Sequence, residues 1–272
     1  IIFLLIFFFN LNLNSTSASE DFIFEGKSIE LLNSEKTIIA KDGVKITSSE
    51  GVNISTFKSK YNKISKILSL EKNIIIKDEP NKISLKSEKI IYDKNKEKIY
   101  SKDKTEIFIS NEYTLKGEDI NFDRNNLKIF SKKSAVLKDN YNNILNLKGF
   151  NYSIEDEKVQ TKQLIFLDNK DNRYITKNSI IDLNDQKIAS KDIELYFNQN
   201  GQMGKNARLK GSSLISENNK TIISNGIFTT CKQNETCPPW SLKSKKVIHN
   251  IDKKIITYEK STLQLYDFPV FY

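Results

Sequence analysis

The sequence predicts an all-β protein assembled from bent-strand repeats of about 30 residues, and three observations carry that prediction. Apolar residues alternate with polar ones, as in Leu127-Lys128-Ile129-Phe130 and Glu106-Ile107-Phe108-Ile109-Ser110, and do not recur at three and four. β-branched and aromatic side chains fill the alternating positions. Polar turn segments separate the runs: Asp93-Lys94-Asn95-Lys96, Asp123-Arg124-Asn125-Asn126, Asn140-Tyr141-Asn142-Asn143 and Asp168-Asn169-Lys170-Asp171-Asn172. Short strands with turns at roughly 8–12-residue spacing belong to sheet stacks, barrels and jelly rolls.

The repeats share one grammar. An apolar residue is followed at +2 by Gly, Ser or Thr, then by apolar residues at +5 and +7. Phe24-Gly26-Ile29-Leu31 opens the series. Phe57-Ser59 starts a degraded copy in which Asn62 takes the +5 place before Ile64. Leu85-Ser87-Ile90-Tyr92 and Leu115-Gly117-Ile120-Phe122 are the clearest copies. Leu147-Gly149-Tyr152-Ile154, Val159-Thr161-Leu164-Phe166 and Ile188-Ser190-Ile193-Leu195 follow, and Leu242-Ser244-Val247-His249 closes the series. Strict alternation keeps even offsets on one face, yet the apolar residues resume at odd offsets. A bulge or corner just after the small residue switches the parity, and the small side chain leaves room for it. Each repeat therefore reads as a bent strand, a polar turn and a return strand. Stacked copies bury one continuous apolar face in an elongated assembly.

Composition excludes several kinds of chemistry. The chain carries 43 Lys+Arg against 34 Asp+Glu, a formal charge of +9, with only Arg124, Arg173 and Arg208 as arginines. Lysine is the residue less suited to bidentate reading of phosphates or bases, so nucleic acid is not the expected partner. One His and two Cys do not make a zinc site of the usual His/Cys kind. Any His-dependent nucleophile would have to use His249, which occupies a +7 strand position filled elsewhere by Tyr92, Phe122 and Leu195. The acidic residues sit mainly in turns such as Glu155-Asp156-Glu157. No cofactor and no enzymatic activity are expected.

The chain opens with nine consecutive apolar residues, Ile1 to Phe9, and a small-residue stretch, Ser15-Thr16-Ser17-Ala18-Ser19. The run is too short to cross about 30 Å of hydrocarbon. It has the length of a signal-peptide core, and residues 1–19 read as a signal peptide incomplete at its N-terminus. Export implies an oxidising compartment, which makes a disulfide the first expectation for Cys231 and Cys237. A local bridge between them, or bridges from each to cysteines outside this sequence, both remain open.

The cysteines lie in Phe228-Thr229-Thr230-Cys231, followed by Cys237-Pro238-Pro239-Trp240-Ser241-Leu242-Lys243-Ser244-Lys245-Lys246-Val247. That segment resembles the lipopolysaccharide-assembly outer-membrane proteins of the LptD (organic solvent tolerance) family. Tyr258 and the run Leu263-Gln264-Leu265-Tyr266-Asp267-Phe268-Pro269-Val270-Phe271-Tyr272 resemble the passage from that family's periplasmic domain into its barrel. The upstream repeats are similar to the OstA-type repeats shared with the bridge proteins LptA and LptC. The resemblance implies a half-open "β-taco", or β-jelly roll, over residues 20–262, with 263–272 starting the transition to a C-terminal barrel. It also implies a place in the outer membrane facing the periplasm. An LptA-like bridge would dock edge to edge by β-augmentation, and an LptE-like lipoprotein would sit in the barrel. Lipopolysaccharide is the implied cargo. In the family the disulfides join the periplasmic domain to barrel cysteines, whereas here both cysteines fall within one seven-residue segment.

The residues themselves fit such a conduit. An apolar groove can hold acyl chains, each buried CH₂ contributing about 0.8 kcal/mol, through non-directional contacts that suit sliding. The inward positions Ile90, Tyr92, Ile120, Phe122, Tyr152, Ile154, Ile193 and Leu195 are the expected groove lining. The alternative is a structural or adhesive β-repeat protein of the cell envelope, with a solid core and no lipid cargo.

Overall fold

The computed structural model describes residues 15–18, 21–110, 112–141, 143–167, 171–198, 206–231, 239–250, 252–253 and 255–272. The protein is all-β, and no helix occurs among the described residues. Contacts divide the chain into two compact units, Ile1–Ile99 and Tyr100–Tyr272.

The first unit contains β1 (Ser15–Ala18), β2 (Phe22–Gly26), β3 (Ser28–Leu32), β4 (Thr37–Ser48), β5 (Val52–Asn62), β6 (Ile67–Asp78) and β7 (Ile83–Asp93). β2 and β3 follow one another along the same side of β4, and β4 to β7 form an antiparallel meander. Ser15–Ala18, at the end of the expected signal peptide, pairs with β2; residues 1–14 and 19–20 lie outside the described residues.

β8 (Lys98–Ser101) straddles the division. The second unit continues with β9 (Thr105–Ile109), β10 (Tyr113–Gly117), β11 (Ile120–Asp123), β12 (Lys128–Asp139), β13 (Ile144–Ser153) and β14 (Lys158–Leu167). It is completed by β15 (Arg173–Asp182), β16 (Lys187–Tyr196), β17 (Arg208–Glu217), β18 (Lys220–Thr229), β19 (Trp240–Asn250), β20 (Ile255–Leu265) and β21 (Phe268–Phe271). β12 to β20 pair each with the next, and β21 pairs with the C-terminal end of β20.

The parity switch is real, and its cause is in the backbone. In β7 Leu85, Ser87, Ile90 and Tyr92 are buried, with Glu88 and Lys89 exposed side by side between Ser87 and Ile90. At six bends the +4 residue has a left-handed backbone: Asp119, between β10 and β11, and Gly149, Asn178, Asp192, Asn225 and Lys260 within strands, with φ between 47° and 67°. Four of these are Asp or Asn, the side chains that tolerate this region best after Gly. β4 and β6 bend differently, through left-handed pairs at Asp42-Gly43 and Lys72-Asn73. There β4 places two residues, Asp42 and Gly43, opposite one of β5, Phe57, the signature of a bulge.

The small +2 residue does more than leave room. A bend frees carbonyls from the ladder, and a buried carbonyl without a donor is costly. Thr56 donates to the Glu71 and Lys72 carbonyls at 3.0 and 3.2 Å. Thr161 donates to the Gly149 carbonyl at 2.6 Å, and Ser131 to that of Glu118 at 2.7 Å. Thr176, Ser179 and Ser190 form a buried hydroxyl chain at 2.7 and 2.9 Å.

Two copies of the repeat are in a different register from the one the sequence suggests, and one ends differently. Phe57 and Ile64 are exposed, at 45% and 69%; the inward set in β5 is Ile54, Thr56, Ser59 and Tyr61. In β13 the inward set is Leu145, Leu147, Phe150 and Tyr152, which puts Gly149 at +4. Leu31, at the +7 place of the first copy, is exposed. The stricter period lies in the turns. A left-handed residue closes a four-residue turn at Lys66, Glu97, Leu127, Glu157 and Gln186, every 29 to 31 residues. Asn62, Asp93, Asp123 and Asp182 cap these turns by accepting a backbone N–H.

Candidate functional site: the interior and lips of the folded sheet

Within each unit the sheet is folded back on itself, and side chains from opposite strand ends show it. An extended strand of 11 residues spans about 36 Å. The turn holding Glu50 lies at the Ile83 end of β7, through the register Val52–Asp78–Ile83, and Lys94 follows its other end. Yet Lys94 Nζ lies 2.5 Å from Glu50 Oε2. The same closure occurs in the second unit. Tyr113 is aligned with the Arg173 end of β15, and its hydroxyl donates at 2.7 Å to the carbonyl of Leu183, just past the other end. The bends divide each unit into two layers whose outer ends form a pair of lips. The arrangement is jelly-roll-like within each unit.

Of the nominated groove residues, Ile90, Tyr92, Ile120, Phe122, Tyr152, Ile193 and Leu195 all lie between the layers, at most 2% exposed. Ile154 is half-buried in the turn after β13. In the first unit Phe22 packs edge-on against Tyr61 and Tyr92, with centroids 5.2 and 5.7 Å apart. In the second unit Ile193 and Leu195 belong to a cluster with Tyr174, Leu209, Leu214, Ile223 and Val247. Phe166 stacks on Tyr174 at 4.5 Å, and Ile256 and Tyr258 pack on the cluster while remaining partly exposed. Burial pushes the hydroxyls of Tyr152 and Tyr258 above the ordinary tyrosine range.

The lips of the second unit hold a cavity of about 270 Å³. Leu137, Leu145 and Phe166 line it from one layer, and Ile181, Leu183 and Ile188 from the other, beside the Tyr113–Leu183 hydrogen bond. Its rim is polar without being cationic. Asp139 accepts the backbone N–H groups of Tyr141 and Asn143, and Asp182 accepts that of Asp185. The Asp185 hydrogen bond, against a smaller cost of burial and with help from Lys158, holds the Asp182 carboxyl below the usual carboxylate range. The repeat grammar reached Phe166, but it missed Ile181. The β15 copy reads Tyr174, Thr176, Ser179 and Ile181, and its two central hydroxyls hide it from a search for apolar residues.

Cys231 is half-buried, with its sulfur 3.7 Å from the Trp240 carbonyl. Cys237, its expected partner or neighbour, lies outside the described residues. His249 is buried in β19. Among the described residues no group of three or more His, Cys, Asp or Glu is placed to hold a metal ion. Many lysines face outward against carboxylates of neighbouring strands, as in Lys58–Glu71 at 3.1 Å and Lys210–Glu194 at 3.0 Å. Such exposed pairs contribute little to stability, below about 1 kcal/mol each. Comparison of the chain with protein-family models and with curated proteins finds no match.

Proposed function

We propose that the chain is the lipid-carrying periplasmic domain of an outer-membrane lipopolysaccharide translocon. In this reading it receives its cargo from a periplasmic bridge protein docked on a sheet edge. Acyl chains ride between the two layers, and the cargo passes to an outer-membrane barrel that also holds a lipoprotein partner. The resemblance of the Cys-Pro-Pro-Trp segment and its Pro-Val-Phe-Tyr continuation supplies the identity of the translocon. The observation that carries the lipid assignment is the apolar cavity at the lips of the second unit, where Leu137, Leu145 and Phe166 face Ile181, Leu183 and Ile188. The apolar walls of this slot take methylene groups, which are held by burial, while Asp139, Asn143, Asp182 and Gln186 keep its rim polar.

The test is photo-crosslinking from Phe166 or Ile181, with Tyr92, Phe122 and Tyr152 probing deeper. Adducts with lipopolysaccharide from the inward positions are expected. The competing reading, a structural repeat with a solid core, draws on the near-complete burial of seven nominated residues. It predicts adducts from outward positions such as Phe57 and Phe130 only, and that result would remove the conduit.

A further inference from the structure

The lips of the first unit are chemically unlike those of the second. They are joined by charge. Asp21 precedes β2 on one lip, where Phe22 pairs with Ser48, and Glu50 lies in the next turn of the same lip. Lys66 and Lys94 lie in turns of the opposite lip. Asp21 Oδ1 is 3.2 Å from Lys66 Nζ, and its Oδ2 accepts the Tyr61 hydroxyl. Lys94 Nζ bridges Glu50 Oε2 and Glu97 Oε1, both at 2.5 Å, and Tyr92 donates to Glu97 Oε2 at 2.6 Å.

The partners of Lys94 are not equivalent. The lysine side chain is 7% exposed, and Glu97, from its own turn, is 15% exposed. Glu50 reaches over from the other lip and is 51% exposed. A nearly buried ammonium requires counter-charge, since an unpaired charge there is costly. Glu97 is built into the lip beside Tyr92, whereas Glu50 is a solvated group that another anion can replace.

Resting on the lipid-carrier reading, the geometry points to Lys66 and Lys94 as the headgroup site of the first unit. They would bind the phosphate monoester of an anionic amphiphile, with Asp21 and Glu50 as the chain's own stand-ins for it. Entry of the amphiphile exchanges carboxylate for phosphate on the two ammonium groups. The same exchange unfastens the lips, so the chains pass inward toward Phe22, Tyr61 and Tyr92. A phosphate oxygen set satisfies lysine donors as point charges, without the planar fork that arginine supplies.

The test measures binding of 1-oleoyl lysophosphatidic acid and of uncharged monoolein to the full chain and to K94Q, K66Q, E50Q and D21N. E50Q and K94Q delete the same ion pair, so a purely structural role moves both in one direction. The site predicts opposite signs. K94Q and K66Q weaken lysophosphatidate binding by about tenfold, the loss of one charge-assisted hydrogen bond. E50Q and D21N strengthen it, and monoolein affinity stays within about twofold in all four. Equal-direction changes, or no preference of the parent chain for the phosphate, overturn the site while leaving the groove intact. Failure of both amphiphiles to bind removes the groove and the site together. Inorganic phosphate distinguishes a headgroup from a free ion: it is expected to compete weakly, and competition as strong as that of the amphiphile would overturn the headgroup assignment.

Discussion

The Tyr113 hydroxyl donates to the carbonyl of Leu183 at 2.7 Å, joining residues 70 apart in sequence and on opposite lips of one sheet. Burial, the largest influence, raises the Tyr113 hydroxyl above the ordinary tyrosine range, helped by Glu112 and Asp139, so the group remains a donor throughout neutral pH. Tyr113→Phe keeps the ring and removes only the donor. We expect a loss of about 1 kcal/mol in urea unfolding and faster amide exchange around Leu183. Unchanged stability with unchanged exchange would show that the lips are held by apolar packing alone.

The bends can be tested at Asp192, which precedes Ile193 with φ of 47°. Asp192→Val forces a β-branched side chain into the left-handed region and is expected to cost about 1–3 kcal/mol. Asp192→Gly relieves the strain and should be close to neutral. If valine and glycine behave alike in denaturant melts, the backbone there is not the source of the parity switch.

Glycine 226 takes the +5 place in β18, and a Cβ added there would lie 2.6 Å from Val247 Cγ2. Gly226→Ala therefore overpacks the second unit, at about 1–3 kcal/mol. Pairing it with Val247→Ala restores space for the new methyl. A double mutant no more stable than the sum of the single changes would contradict this packing.

Acid should loosen the first unit through Asp21. Burial alone would raise its carboxyl, but the Tyr61 hydroxyl, Lys66 and Lys94 together hold it below the usual range. A depressed carboxylate contributes stability that is fully present above its unfolded value of about 3.9 and is lost as pH falls through the lower folded value. Amide exchange of β2 and β4 should accelerate below about pH 4 in the parent chain. Asp21→Asn, already less protected at neutral pH, should lose less on acidification. An identical acid response in both proteins would show that Asp21 does not hold the lips of the first unit together.

Much of the strand architecture is legible in the residues. The +2/+5/+7 spacing of Leu85-Ser87-Ile90-Tyr92 or Ile188-Ser190-Ile193-Leu195 maps directly onto bent strands. The misplaced copies have physical causes. This chain puts isoleucine and phenylalanine on outward positions too, such as Phe57, Phe130 and Ile215, so apolar character alone does not mark a face. Conversely Thr56, Thr176, Ser179 and Ser190 are buried, because a bend needs hydroxyl donors inside. The 29-to-31-residue period is carried more strictly by turn caps such as Asp93 and Asp123 than by the apolar residues.

By itself the sequence determined the class of the fold, the place of most strands and the existence of a bend in each. Those features follow from side-chain alternation and local backbone preference, which act over a few residues. Only the tertiary structure decided how the lips close. Lys94 meets Glu50 across 44 residues and Tyr113 meets Leu183 across 70, because bends in many paired strands bring the two ends of the sheet together. No local signal distinguishes a lysine on the lip from one on an outer face. Whether a charge is buried and opposed depends on the sum of all the bends between its position and its partner's.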